Sequence, residues 1–94
     1  MKISASDQVA DWLRNLPPDP KRRVRAALKG LAKWQGDIKA LRGELEGFYR
    51  RRVGGYRIVY RVVEGEVIRL DYADTRDLVY EAFRQLRMLG EVKE

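Results

Sequence analysis

The sequence has 94 residues, of which 45% are hydrophobic and 36% are charged, and its formal net charge is +6. This length predicts a single small domain over residues 1–94, whose thin core suits a shallow surface site better than an enclosed pocket. The chain contains no Cys and no His, which excludes disulfides, thiolate or imidazole catalysis and Cys or His metal sites. We therefore expect neither a cofactor nor a metal ion.

The charge is concentrated in the middle of the chain. Residues 20–61 hold thirteen Lys and Arg against three Asp and Glu, whereas residues 62–94 hold five against eight. A segment this basic indicates an anionic partner, with nucleic acid favoured over membrane, although a merely solvated charged surface is the alternative. The N-terminus lacks the apolar run of a signal peptide and no segment has the length of a membrane span, so we expect a cytoplasmic protein without a membrane partner.

The first part of the chain predicts a short strand over residues 1–4 and then a helical hairpin. Helical spacing of apolar residues defines one stripe on each helix: Val9, Trp12, Leu13 and Leu16, then Val24, Ala27, Leu28 and Leu31. Ser6 is the expected N-cap of the first helix, and Asp19, followed by Pro20, that of the second. We expect the second helix to end at Gly36, with Trp12 and Trp34 anchored in the core.

From residue 48 the pattern alternates and predicts an antiparallel three-stranded meander. Its strands are residues 48–53, Tyr56–Val63 and residues 66–72, joined by turns at Gly54-Gly55 and Glu64-Gly65. Residues 38–45 are ambiguous. A last helix, capped by Asp74 or Thr75, ends at Gly90. The predicted fold is α+β, with the helical hairpin on one face of the small sheet and a C-terminal helix.

Alternation of side chains also predicts which residues share a face of the sheet. Three apolar residues of the last strand, Ile68, Leu70 and Tyr72, are assigned to the face covered by the helical hairpin, and Arg51 also points that way. The opposite, open face is expected to carry three valines and five arginines: Val59, Val63, Val67, Arg50, Arg52, Arg57, Arg61 and Arg69.

Two segments carry a family resemblance. They are YRRRVGGYRIVY at residues 49–60 and TRDLVY at residues 75–80. With these motifs in this order after two helices, the sequence resembles the RelE/ParE superfamily of bacterial and archaeal toxins, and most of all the RelE-type mRNA interferases of type II toxin–antitoxin systems.

The resemblance implies a RelE-like fold and a ribosome-associated endoribonuclease that cuts mRNA in the 30S A site and inhibits translation. It implies a cognate antitoxin that wraps across the toxin, and the valines of the open face are candidate contacts for it. Carried over residue by residue, the catalytic set is Arg50, Arg52, Arg57, Arg76 and Tyr80. Three further arginines, Arg61, Arg69 and Arg84, are candidate RNA contacts.

These residue types suit RNA cleavage without a metal, because the 2′-OH of RNA is its own nucleophile. Guanidinium groups would stabilise charge on the phosphate, and Tyr80 would transfer a proton or stack on a base. Asp71, Asp74 and Asp77 resemble a metal-binding run, but their spread over a strand end, a loop and a helix start argues against one. Two alternatives remain: a ParE-like inhibitor of DNA gyrase, which shares the fold, and an inactive RNA-binding relative.

Overall fold

The computed structural model describes residues 1–75 and 78–90. Five strands, three helices and one 3-10 turn follow each other along the chain. In order they are β1 Lys2–Ala5, α1 Asp7–Arg14, α2 Pro18–Leu31, β2 Ile38–Ala40, the 3-10 turn Gly43–Leu45, β3 Tyr49–Val53, β4 Tyr56–Val63, β5 Val67–Thr75 and α3 Leu78–Met88.

The strands form one sheet in the order β1-β5-β4-β3-β2. β3, β4 and β5 are the predicted antiparallel meander, so the α+β fold class is confirmed. β2 extends the meander antiparallel to β3, and β1 pairs parallel to β5 at the opposite edge, which makes the sheet mixed. β2 was ambiguous in the sequence because three residues are too few to display a period.

The hairpin of α1 and α2 packs on one face of the sheet. Ser6 caps α1 as predicted, since its hydroxyl accepts a hydrogen bond from the Val9 amide at 3.2 Å. The predicted start of α2 is wrong: the N-cap is Pro17 and the helix begins at Pro18, so Asp19 lies inside the first turn. Proline is tolerated there because the first amides of a helix have no partner within it.

The core has two clusters, one on each face of the sheet. Between the hairpin and the sheet lie Val9, Val24, Leu31, Ile58, Tyr60, Ile68, Leu70 and Ala73. Between α3 and the other face lie Leu45, Phe48, Val59, Val79 and Phe83. The face expected to be open is therefore covered by α3 over part of its area, and the expectation that Val59 is exposed is wrong, since it is fully buried.

A β-bulge in β5 changes which face its later residues use. Val59 pairs with Tyr72 and the next residue, Tyr60, pairs with Leu70, so Asp71 is the extra residue. A bulge shifts the alternation of all residues beyond it. The assignment of Tyr72 to the hairpin face is therefore wrong: Tyr72 packs against the α3 cluster, and Ala73 takes its place in the hairpin cluster.

Two smaller expectations also fail. α2 ends at Leu31 rather than near Gly36. Trp34 is 40% exposed, so it lies at the rim of the core with its ring edge-on to Tyr49 rather than inside the core. Asp74 and Thr75 end β5, and the predicted capping of α3 by one of them involves residues outside the described ones. Among residues 1–75 and 78–90, no helix combines the length and the apolar character needed to cross a membrane.

Candidate functional site

A cleft of about 510 Å³ opens between the β2–β4 end of the sheet and α3. Six cationic side chains, one tyrosine and two leucines line it: Lys39, Arg42, Arg50, Arg52, Arg57, Arg84, Tyr80, Leu41 and Leu45. Within the part of the chain that the structure describes, no carboxylate lines this cleft. A concave surface with this lining is suited to bind a phosphate backbone.

Strand register brings three of the predicted catalytic arginines together. Arg52 lies directly opposite Arg57 in the β3–β4 ladder, and Arg50 lies two residues before Arg52 on the same face. Like charges at directly opposed positions destabilise a hairpin. The two guanidinium groups therefore concentrate positive charge that an anionic ligand would stabilise.

Arg50 is the most fixed of these arginines. Its side chain is only 14% exposed, and Nη1 donates to the Asp37 carboxylate at 2.9 Å and to the Asp37 carbonyl at 3.2 Å. Tyr80 lines the same cleft and lies near enough to this guanidinium to influence it electrostatically. Burial alone would lower the pKa of Arg50, but Asp37 and Tyr80 more than offset it and the pKa is raised. The same ion pair lowers the pKa of Asp37.

Arg52 and Arg57 are oriented by the hairpin turn. Arg57 Nη1 donates to the Gly54 carbonyl at 3.1 Å, and Arg52 Nε approaches the same oxygen at 3.5 Å. Gly54 has a φ of 56°, a left-handed conformation that glycine adopts without strain. The Gly54 carbonyl thus lies between the two guanidinium groups and holds them close together.

α3 supplies the opposite wall of the cleft. Val79 and Phe83 are fully buried against the sheet, and this anchoring turns Tyr80 and Arg84 towards the cleft. Arg84, a predicted RNA contact, lies at the cleft edge, where its guanidinium meets Glu44 at 3.0 Å and Glu81 at 2.6 Å. Its charge is therefore partly satisfied within the protein.

Two cleft residues, Lys39 and Arg42, were missed by the sequence reasoning. Lys39 pairs with Arg50 in the β2–β3 ladder and so shares its face of the sheet, and Arg42 precedes the 3-10 turn. The signal was the basic character of residues 38–42 next to an alternating pattern. It was too short to identify a strand.

Three predicted site residues lie elsewhere or are not described. Arg76 lies outside the described residues. Arg61 is turned away from the cleft and forms an ion pair with Asp71 at 3.3 Å, its guanidinium 5.5 Å from the centre of the Phe48 ring. Arg69 donates to the Ser4 hydroxyl at 2.8 Å. The structure thus groups Arg50, Arg52, Arg57, Tyr80 and Arg84, and separates Arg61 and Arg69 from them.

Asp71, the bulged residue, is 6% exposed. Its burial raises the pKa of the carboxyl group to about 6, although the charges of Arg61, Arg69 and Arg87 act in the opposite direction. In its ionised form the Asp71 carboxylate balances the positive charge of Arg61 inside the protein. The Arg61 guanidinium is therefore paired with Asp71 and is not available to a ligand.

The remaining observations concern similarity to known proteins. No family model matches the sequence, and no curated protein matches it. Solved structures do match. The YoeB/ParE toxin from Agrobacterium tumefaciens has a TM-score of 0.68 at 16% identity over 81% of this chain and 99% of that one.

Two further matches are toxin–antitoxin complexes. RelBE2 from Mycobacterium tuberculosis has a TM-score of 0.66 at 25% identity over 80% of this chain and 96% of that one. The archaeal RelE–RelB complex from Pyrococcus horikoshii OT3 has a TM-score of 0.65 at 26% identity over 81% of this chain and 94% of that one. The similarity therefore extends over about four fifths of the chain.

Proposed function

This chain has the fold of the RelE/ParE toxin superfamily, as its motifs predicted, and we propose that it is the toxin of a type II toxin–antitoxin system and a metal-independent endoribonuclease that cleaves ribosome-bound mRNA. The toxin assignment rests on the similarity to RelE- and YoeB-type structures. The cleavage assignment rests on the cleft. We propose that it acts in the cytoplasm, with a cognate antitoxin as its protein partner.

One observation carries the cleavage assignment: Tyr80 lines the same cleft as Arg50, Arg52 and Arg57. A hydroxyl that can exchange a proton thus lies beside cations that can hold a phosphate. A basic surface without such a hydroxyl would bind RNA without assisting its chemistry. The arrangement therefore favours an enzyme over a binding module.

In the proposed reaction the 2′-oxygen bonds to the adjacent phosphorus and the bond from phosphorus to O5′ breaks. The products are a 2′,3′-cyclic phosphate and a free 5′-hydroxyl, so the 2′-OH gives up one proton and O5′ takes up one. Arg52 and Arg57 stabilise the charge that builds on the phosphate oxygens. Tyr80 takes part in the proton transfer, and Arg50 stabilises negative charge that develops on its oxygen.

Primer extension on mRNA bound to translating ribosomes tests this function. The wild-type protein should produce cuts in phase with the codons, and Arg57→Ala and Tyr80→Phe should abolish or strongly weaken them. Arg23→Ala, which removes one exposed charge from α2 on the opposite side of the sheet, serves as the control and should cleave normally. Intact mRNA at all toxin concentrations would contradict the proposal.

The same samples separate the gyrase-inhibitor alternative. If the protein acts as a ParE-like toxin, DNA gyrase will accumulate double-strand breaks while the mRNA stays intact. If it is an inactive RNA-binding relative, mRNA will bind without cuts. The position of Tyr80 near Arg50 supports neither of these alternatives, because gyrase inhibition and simple RNA binding require no proton transfer.

A further inference from the structure

Asp37 lies behind the cleft, in the connection between α2 and β2. It contacts two arginines of β3, Arg50 and Arg52. Its carbonyl accepts from the Arg50 guanidinium at 3.2 Å and from the Arg52 backbone amide at 3.0 Å, and its carboxylate accepts from Arg50 at 2.9 Å. One residue thus fixes the Arg50 side chain and the backbone of Arg52.

The packing of Arg51 against Gly36 holds the neighbouring Asp37 in this position. The Arg51 guanidinium lies flat against Gly36, so closely that a Cβ at position 36 would overlap it. Gly36 has a φ of 113°, which glycine adopts freely. Arg51, the residue that pointed unexpectedly towards the helices, therefore packs against the segment that carries Asp37.

We propose that Asp37 is a positioning residue for the cleavage reaction, holding the Arg50 guanidinium in the cleft that Tyr80 also lines, so that its remaining N–H donors face the substrate phosphate. The proposal rests on the proposed function. Asp37 holds Arg50 through hydrogen bonds to its carboxylate and its carbonyl, and Arg50 and Tyr80 line the same cleft. A guanidinium held in this way does not need to be ordered during the reaction.

The charge of Asp37 gives this proposal a distinctive signature. A carboxylate beside a phosphate site weakens binding of the anionic substrate, so its removal alone should tighten RNA binding. If Asp37 also positions Arg50, its removal should slow the chemical step at the same time. A carboxylate that only balances surface charge would show the first effect without the second.

Single-turnover cleavage on programmed ribosomes measures both quantities as a maximal rate and a half-saturating toxin concentration. We expect Asp37→Ala to lower the maximal rate about tenfold, with an unchanged or lower half-saturating concentration. Asp37→Asn retains an oxygen that accepts from Arg50 and should lose only about threefold. Asp19→Ala, which removes a more exposed carboxylate from α2, should change neither value.

An unchanged or higher maximal rate in Asp37→Ala would overturn the proposal. A second measurement does not depend on activity: the Nη1–H resonance of Arg50 in the NMR spectrum of the free protein. It should be protected from solvent exchange in the wild type and in Asp19→Ala, and exposed in Asp37→Ala. If the wild type cleaves no RNA, the proposed function fails, and an Arg50 resonance that is equally protected in all variants would overturn the role of Asp37 by itself.

Discussion

Two arginines of β4, Arg57 and Arg61, point to the same face of the sheet but have opposite environments. They lie four residues apart, about 13 Å along the strand. Arg57 lies opposite Arg52 in one ladder and opposite Asp74 in the other, and it donates hydrogen bonds to the carbonyls of Gly54 and Tyr56. Arg61 lies 15% exposed beside the buried carboxylate of Asp71 and the ring of Phe48.

The difference shows which feature allows a basic strand to form a ligand-binding site. At the Arg57 end the lining of the cleft contains no carboxylate among the described residues, so its positive potential is available to a ligand. At the Arg61 end the bulge places Asp71 next to Arg61 on the same face. The Asp71 carboxylate then balances the Arg61 charge inside the protein. The buried carboxylate at the Arg61 end, not the number of arginines, separates the two ends.

Replacement of Phe83 should have the largest effect on the free energy of unfolding. Phe83 is fully buried and holds α3 over both ends of β4. Its ring lies 5.1 Å from that of Phe48 and 6.3 Å from that of Tyr72. Phe83→Ala should lower the free energy of unfolding by about 3–5 kcal/mol in urea titrations. Leu78→Ala, at an exposed position of the same helix, is the control and should change it by less than about 0.5 kcal/mol.

The pair Arg57→Ala and Arg61→Ala tests the comparison directly. We expect Arg57→Ala to lower the cleavage rate about 10²-fold, the usual loss for one donor to a developing charge. Arg61→Ala should instead lower the free energy of unfolding by about 3 kcal/mol at pH 7.5, since Asp71 would stay buried without its partner. Its cleavage rate per folded molecule should be retained. The opposite pattern in rate assays and urea titrations would refute the distinction.

Much of this architecture could be predicted from the sequence. The hairpin of β3 and β4 has a glycine turn and a clear alternation, so the grouping of Arg50, Arg52 and Arg57 followed from pattern alone. The placement of Tyr80 in the same cleft came from the family resemblance, and the buried stripe of α3 explains it.

What could not be predicted depends on contacts between distant segments. The bulge at Asp71 is set by the pairing of β4 with β5 and has no local signature, so Tyr72 and Arg61 were misjudged. Lys39 reaches the cleft only because the three residues of β2 pair with β3. The burial of Val59 depends on where α3 packs, which periodicity does not determine.

The pH dependence of the free energy of unfolding should distinguish the Arg61 end of β4 from the Arg57 end. Because the folded pKa of Asp71 is about 6 and its ordinary value is 3.8, the folded state binds the extra proton between these values. The contribution of Asp71 to stability is therefore greatest below about pH 4 and is lost as the pH rises through 6, by about 2–3 kcal/mol.

Urea titrations of wild type and Asp71→Asn at pH 4.5 and 7.5 measure this contribution as a difference between the two proteins. The stability of the wild type relative to the variant should fall between the two pH values. Asp37 acts in the reverse sense, since its pKa is lowered and its contribution disappears as the pH falls. A constant difference between wild type and Asp71→Asn would mean that Asp71 does not titrate in this range.

The smallest expected effect concerns the packing behind the cleft. Gly36→Ala and Gly47→Ala both place a side chain at positive φ, but only at position 36 would the added methyl meet another group, the Arg51 guanidinium. Both should lose about 1 kcal/mol from backbone strain, and Gly36→Ala should lose about 1 kcal/mol more because Arg51 must move. Because Asp37 follows directly, Gly36→Ala should also slow cleavage, whereas Gly47→Ala should not. Equal rates in the two variants would show that Arg50 keeps its position without the packing of Arg51 on Gly36.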